Sequence, residues 1–234
     1  MKILAIDTSS EACSASLIVN GHFETLFEIA PQGHSELLLN MCNTLLANAQ
    51  LPLSQLDGLA FSRGPGSFTG LRIGAGVVQG IAYAQDLPII NISSLQALAH
   101  QVARQLSSGF LLAAIDARMG EIYTAEYAIN PETGLVSISD EQLNHPEHIQ
   151  LKNNENFIVV GSGFQLLNSA SDITKSQLIF DNKYDKLLVS AEDVAILAAN
   201  NTDRSRWCSA DKCLPVYLRN DVVHKSGNAT NNNA

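Results

Sequence analysis

Four glycines fall inside a segment of this 234-residue chain that otherwise reads as a helix. Gly70 and Gly74 are four apart, as are Gly76 and Gly80, and Arg72 is the only charge between Gly70 and Gln85. Each glycine costs about 1 kcal/mol in a helix interior, so four of them need a compensating contact. Small residues offer one: they let another backbone come close, as they do between membrane helices. This helix is too short to span a bilayer, and no run in the chain reaches the roughly 18 apolar residues of a span. The stretch before it, Arg63-Gly64-Pro65-Gly66-Ser67-Phe68-Thr69, stands at a helix N-terminus, where free N–H groups and the helix dipole favour an anion. It is not a P-loop, because no Gly-Lys-Ser/Thr follows. A purely structural reading is equally open, with glycines for positive φ and Ser67 or Thr69 as a cap.

The flanking pattern predicts an α/β chain. Residues 2–6 form an apolar strand ending at Asp7, and 13–19 form a second. Asn20-Gly21 is a hairpin signal that returns the chain through 22–29, giving an antiparallel meander. Residues 34–49 read as a helix with His34 or Ser35 near its start and Pro52 beyond its end. At about 100° per residue, its apolar positions (Leu37 to Leu39, Met41, Cys42, Leu45, Leu46, Ala49) sweep roughly 200°, wider than a one-sided stripe. One side needs the chain's own sheet, and the other a second element or a second protein. Strands follow at 56–62 and 88–92, then a helix at 94–106. A second unit opens with a strand at 110–115 that ends at Asp116, continues through 121–128 and, past the turn at 130–134, through 135–138. A strand at 157–160 runs into Gly161-Ser162-Gly163, and a helix spans 190–200. The repeated strand, Asp, polar turn and returning strand point to a duplicated α/β unit. Its lobes are 1–106 and 107–224, with the last helix free to pack back on the first lobe. The Asn-rich residues 225–234 read as a disordered tail.

Asp7-Thr8-Ser9-Ser10 has the form of a phosphate or Mg²⁺ turn. Asp116-Ala117-Arg118 could face it from the second unit, and Gly161 with Gly163 could admit an adenosine. The alternative is that Asp and Ser simply make good turns. The six histidines show no HExxH pattern and sit in no acidic ligand cluster, so no metal centre is expected. The four cysteines have no zinc spacing and are expected as reduced thiols in a cytoplasmic protein. With 14 basic residues among 23 acidic ones and a net charge of −9, the chain lacks the clustered cations that grip nucleic acid. Any tRNA is expected to be held through something else.

Ile3-Leu-Ala-Ile-Asp-Thr-Ser9, Arg63-Gly-Pro-Gly-Ser-Phe-Thr-Gly-Leu-Arg-Ile-Gly74, Asp116-Ala-Arg118 and Pro215-Val-Tyr-Leu-Arg219 together resemble the TsaB (YeaZ) family. That family serves bacterial tRNA threonylcarbamoyladenosine biosynthesis. The matches run in order from residue 3 to residue 219. The resemblance implies an actin-like, Hsp70-like ATPase fold with ribonuclease H-like duplicated lobes. It implies a non-catalytic subunit that supports the TsaD transferase together with the TsaE ATPase, in modifying the adenosine beside the anticodon of tRNAs reading codons that begin with A. TsaD carries a metal-binding His-x-x-x-His pair on a helix, and neither His34 nor His100 has a histidine four residues on. This departure fits a partner that kept the fold and lost the active site. It leaves an ATP-dependent enzyme using Asp7, Asp116 and the Gly161–Gly163 turn as the second reading, and a metallopeptidase as the third. Pairing in the family runs through helices of the first lobe, with TsaD or with a second copy, so a homodimer is expected for the chain alone. Leu37, Leu38, Met41, Leu45, Arg72, Gly76 and Gly80 are expected at that contact, with a charge at Met41 breaking the complex and leaving the monomer folded. Asp7, Thr8, Ser9, Asp116, Gly161 and Gly163 are the expected vestigial nucleotide site, with no tightly bound cofactor and ATP or ADP placed at a subunit interface.

Overall fold

The computed structural model describes residues 1–201 and 203–219; the tail expected at 225–234 lies outside them. Two six-stranded sheets form the frame. In the first, β1 (Lys2–Asp7), β2 (Ala12–Val19) and β3 (His22–Ile29) form the antiparallel meander. Asn20 and Gly21 both have positive φ (51° and 86°), as a tight type I′ hairpin requires. After helix α1 (His34–Asn48), β4 (Gly58–Gly64) pairs parallel to β1. Helix α2 (Phe68–Gln85) then crosses over to β5 (Ile89–Ser93), parallel to β4, and α3 (Ser94–Ala103) ends the first unit.

The second sheet repeats this plan. Strands β6 (Gly109–Arg118), β7 (Glu121–Asn130) and β8 (Gly134–Ser137) form its meander, and β9 (Gln142–Asn144) adds to β7. Then β10 (Phe157–Val160) runs parallel to β6. Past the short helix α4 (Asp172–Ser176), β11 (Leu178–Ile179) runs parallel to β10. The five shared strands have the order β3-β2-β1-β4-β5 in one sheet and β8-β7-β6-β10-β11 in the other, so the duplication read from the sequence is present strand for strand. Four short elements, β9, α4, β11 and β12 (Trp207–Cys208, antiparallel to β5), escape the sequence pattern because two to five residues carry too little periodicity.

The two units exchange helices. α3 packs on β6 and β7 of the second sheet, while α5 (Ala191–Asn200) packs on β1 and β2 of the first. One apolar cluster therefore runs from Ile3 and Ala5 through Leu95, Leu98 and Val194 to Leu111 and Ala113. His100 of α3 and Arg104 at its C-terminal cap both reach the buried Asp193 of α5, at 2.6 and 3.2 Å.

On the outer face of the first sheet, α1 lies on β2 and β3 and against α2. The second side of its wide apolar arc is thus met by a helix of the same chain. Leu38, Met41 and Leu45 sit in this inner cluster beside Leu4, Ile6, Ala15 and Phe61, at 0%, 8% and 0% exposure. The expectation that these three face a partner is corrected: Leu38 and Leu45 are wholly buried and Met41 packs in the same cluster, reaching the surface only at a groove beside β3. A charge at Met41 is therefore expected to destabilise the fold rather than part a complex.

The glycines of α2 divide by face. A Cβ at Gly70 would overlap the Thr8 carbonyl oxygen, and one at Gly74 would stand 2.5 Å from the Thr8 hydroxyl. A Cβ at Gly76 or Gly80 would meet nothing within 4 Å. We therefore expect Gly70→Ala to lower the unfolding free energy by about 1–3 kcal/mol through overpacking, and Gly80→Ala to raise it by about 0.5–1 kcal/mol. Urea unfolding of the two variants checks this, and shifts of the same sign would contradict the division.

Candidate functional site

A cleft of about 760 Å³ lies between the two units, lined by Ser9, Ser10, His34, Ser67, Phe68, Asp116, Arg118, Ser162, Tyr217 and Arg219 among others. Segments far apart in sequence meet at its walls. The N-terminus of α2 is capped by Ser67, whose hydroxyl accepts from the Gly70 N–H at 3.2 Å. The Ser67 N–H donates to the Ser9 carbonyl at 2.7 Å, and the Thr8 hydroxyl donates to the Gly70 carbonyl at 2.8 Å. A Cβ at Gly66 would overlap the Ser9 carbonyl oxygen. The glycine-rich segment is thus a clasp laid over the turn after β1.

That clasp decides what Asp7 can do. Its carboxylate is 1% exposed; one oxygen accepts from the Ser9 hydroxyl at 2.7 Å and the other has no partner. Burial raises its pKa from the ordinary 3.8 to about 6, against the opposing pull of the neighbouring Ser62 and Ser9 hydroxyls. Asp7 and Thr8 do not line the cleft, whereas Ser9, Ser10 and Asp116 do. Gly161 and Gly163 also turn inward. A Cβ at Gly161 would run into Leu98 and stand 2.6 Å from the Ala114 carbonyl, and one at Gly163 would stand 2.5 Å from Ile122. These glycines serve packing against β6 and β7 rather than the approach of an adenosine. Of the residues expected around a Mg²⁺-nucleotide, Asp7 and Thr8 are sealed off and Gly161 and Gly163 face the core, while Ser9 and Asp116 line the cleft.

The pairings around the cleft were invisible to sequence reasoning. Arg63 bridges the units through two bonds to Glu141, at 3.0 and 2.9 Å. The Val216 N–H donates to the Arg63 carbonyl at 2.7 Å. Tyr217 packs on Phe68 with ring centroids 5.1 Å apart, and Arg72 lies 3.8 Å over the Phe68 ring while donating to the Tyr217 hydroxyl at 3.3 Å. Arg219 donates to Glu121 and, at 3.1 Å, to the Ala117 carbonyl. The segment 215–219 is a strap from the clasp to the β6–β7 turn, where Arg118 and Met119 hold positive φ. His34 is buried and reaches the Ser10 and Ala12 carbonyls at 3.0 and 3.1 Å, tying α1 to the same turn. The four matched motifs were a signal that these segments belong together, but not of their pairing.

Among the described residues no three His, Cys, Asp or Glu side chains are grouped to hold a metal ion, and no helix is long and apolar enough to cross a membrane. A family model described as TsaD: tRNA N6-adenosine threonylcarbamoyltransferase matches residues 27–225. The tRNA threonylcarbamoyladenosine biosynthesis protein TsaB of Escherichia coli (strain K12) is 36% identical over 231 residues, covering 96% of this chain and 97% of that protein. The chain belongs to the TsaB family. The TsaB of Haemophilus influenzae is 38% identical over 233 residues, covering 96% of each chain. The solved structure of YeaZ from Pseudomonas aeruginosa superposes with a TM-score of 0.84 at 35% identity, covering 93% of this chain and 99% of that one. The TsaB-family motifs 3–9, 63–74, 116–118 and 215–219 supply the segments that build the clasp, the strap and the cleft between them.

The raised pKa of Asp7 gives a pH signature. A carboxylate whose folded pKa is raised stabilises the fold below its unfolded pKa and loses that contribution as pH climbs through the folded one. Between about pH 4 and pH 6 the chain should therefore lose on the order of 3 kcal/mol from this group. Asp7→Asn should remove that part of the slope in chemical denaturation followed across this range. An identical slope in both proteins would contradict the burial of a titrating Asp7.

Proposed function

We propose that this chain is a non-catalytic, cytoplasmic subunit for threonylcarbamoyladenosine modification of tRNA, docking and supporting a TsaD-type transferase together with a TsaE-type ATPase. The observation that carries this reading is the outward face of α2. Ile73, Gly76, Val77, Gly80, Tyr83 and Ala84 recur at helical spacing on that side, and Tyr83 is 87% exposed. Gly76 and Gly80 have no neighbour to accommodate within the chain, yet each weakens the helix. A face that is destabilising in the free chain and apolar in character suits close packing of a partner helix. Leu37 is half-buried and Leu39 exposed on the neighbouring α1, so the contact extends to them. Arg72, held by Phe68 and Tyr217, stands at its end. A second copy of the chain occupies the same face when the transferase is absent.

The cleft supports the non-catalytic half of the reading. The buried carboxylate of Asp7 is closed off from the cleft by the clasp, and among the described residues neither His34 nor His100 belongs to a metal-ligating cluster. The chain alone then holds no nucleotide tightly, and ATP or ADP belongs at an interface with the partner. tRNA, carrying its modification site beside the anticodon, is met through the complex.

Gly80→Arg should abolish co-purification with the TsaD-type relative from the same cells and leave the unfolding free energy of the monomer no lower than that of the parent, with a gain of up to about 1 kcal/mol. Retained co-purification would remove α2 from the interface. ATP turnover by the isolated chain, lost in Asp116→Asn, would favour the enzyme reading instead.

A further inference from the structure

From residue 3 to residue 62 the chain has no Lys or Arg, against six carboxylates: Asp7, Glu11, Glu24, Glu28, Glu36 and Asp57. This one-sided charge coincides with an open sheet edge. β3 ends the first sheet and, among the described residues, pairs only with β2. At eight residues it is longer than the other end strands, β12, β11 and β8, with two, two and four. Its register with β2 runs unbroken from His22 to Ile29, so no bulge turns it away. It contains no proline and no lysine, the residues that usually blunt an edge.

The two faces of this edge differ in chemistry. Glu24, Leu26 and Glu28 pair with Leu17, Ala15 and Cys13 and so lie on the α1 side of the sheet. There a groove of about 240 Å³ opens between β3 and α1, lined by Leu26, Leu37, Met41, Asn40, Thr44 and Glu28. Glu24 is fixed at one end of the edge by the Asn48 side chain at 2.7 Å. On the opposite side Phe23, Phe27 and Ile29 stay 49%, 45% and 62% exposed. None of β3, α1 or α5 carries a Lys or Arg to neutralise the glutamates.

We propose that β3 is a docking edge for an extended segment of a basic partner protein. The segment carries Lys or Arg at the two positions beside Glu24 and Glu28 and an apolar side chain between them. The main chain of the segment pairs with the free edge, as in strand addition to a sheet. Its central apolar side chain drops into the groove at Leu26, and its alternate residues cover Phe23, Phe27 and Ile29. Charge complementarity fixes this occupant over a second copy. Antiparallel self-pairing centred on Leu26 sets Glu24 of each copy against Glu28 of the other, and like charges directly opposite are destabilising. Leu37 borders both this groove and the contact proposed for α2, so the two sites adjoin along α1.

The test uses the full chain and the labelled palindromic peptide Ile-Lys-Val-Leu-Val-Lys-Ile, which presents the same pattern in either direction. Fluorescence anisotropy should show saturable binding, and hydrogen exchange should slow at amides of residues 22–29. Glu24→Lys with Glu28→Lys, both at exposed positions, should weaken the peptide roughly tenfold or more. The same variant should favour the analogue with Glu in place of Lys, a reversal that unfolding could not produce. Absence of binding, binding without protection at 22–29, or indifference to charge reversal would overturn the proposal. So would protection of 22–29 in the free chain: dependent on concentration, it would give the edge to a second copy, and independent of it, to another part of this chain.

Discussion

The seating of α2 on the turn after β1 is the contact on which the rest of the structure depends. Gly66, Gly70 and Gly74 remove the side chains that would strike Thr8 and Ser9. Two hydrogen bonds, Ser67 to Ser9 and Thr8 to Gly70, then hold the helix start against the strand end. Because α2 is anchored on this face, its Gly76 and Gly80 point away from the sheet. The inner glycines seal Asp7 and Thr8 from the cleft, and the outer ones leave a surface where a partner could pack. One glycine-rich segment thus carries both halves of the functional argument.

The same segment ties the two units together. Arg63 leaves it for Glu141, Val216 returns to it, and Tyr217 stacks against Phe68 before Arg219 reaches Glu121 across the cleft. With α3 and α5 exchanged between the sheets, the units share one core and move apart only by breaking these contacts. A partner on α2 would touch Arg72, and through Phe68 and Tyr217 it would bear on the strap.

Much of the fold was legible because its signals are local. Asn20-Gly21 and the alternating strands on either side specify the hairpin, and Asp7 and Asp116 stand at or near the ends of equivalent strands, so the duplication showed in sequence. The wide apolar arc of α1 correctly demanded a second neighbour but could not name it, and α2 of the same chain supplied it. Met41 was misassigned for that reason, since periodicity cannot separate a side chain buried within the chain from one buried by a partner. Asp7-Thr8-Ser9 reads as an open cation-binding turn until residues sixty positions later are seen to cover it. Arg63 and Glu141 are 78 residues apart, and nothing in either neighbourhood announces the pair.

Covalent footprinting of side chains, with and without the TsaD-type relative, tests the central claim most directly, because Tyr83 and the cleft residues report separately in one experiment. The account predicts strong labelling of Tyr83 in the free chain, its loss in the complex, and unchanged labelling of Tyr123 and Arg118 in the cleft. Persistent labelling of Tyr83 with protection confined to the cleft would contradict it, placing the partner or its ligand where the clasp was taken to have closed the site.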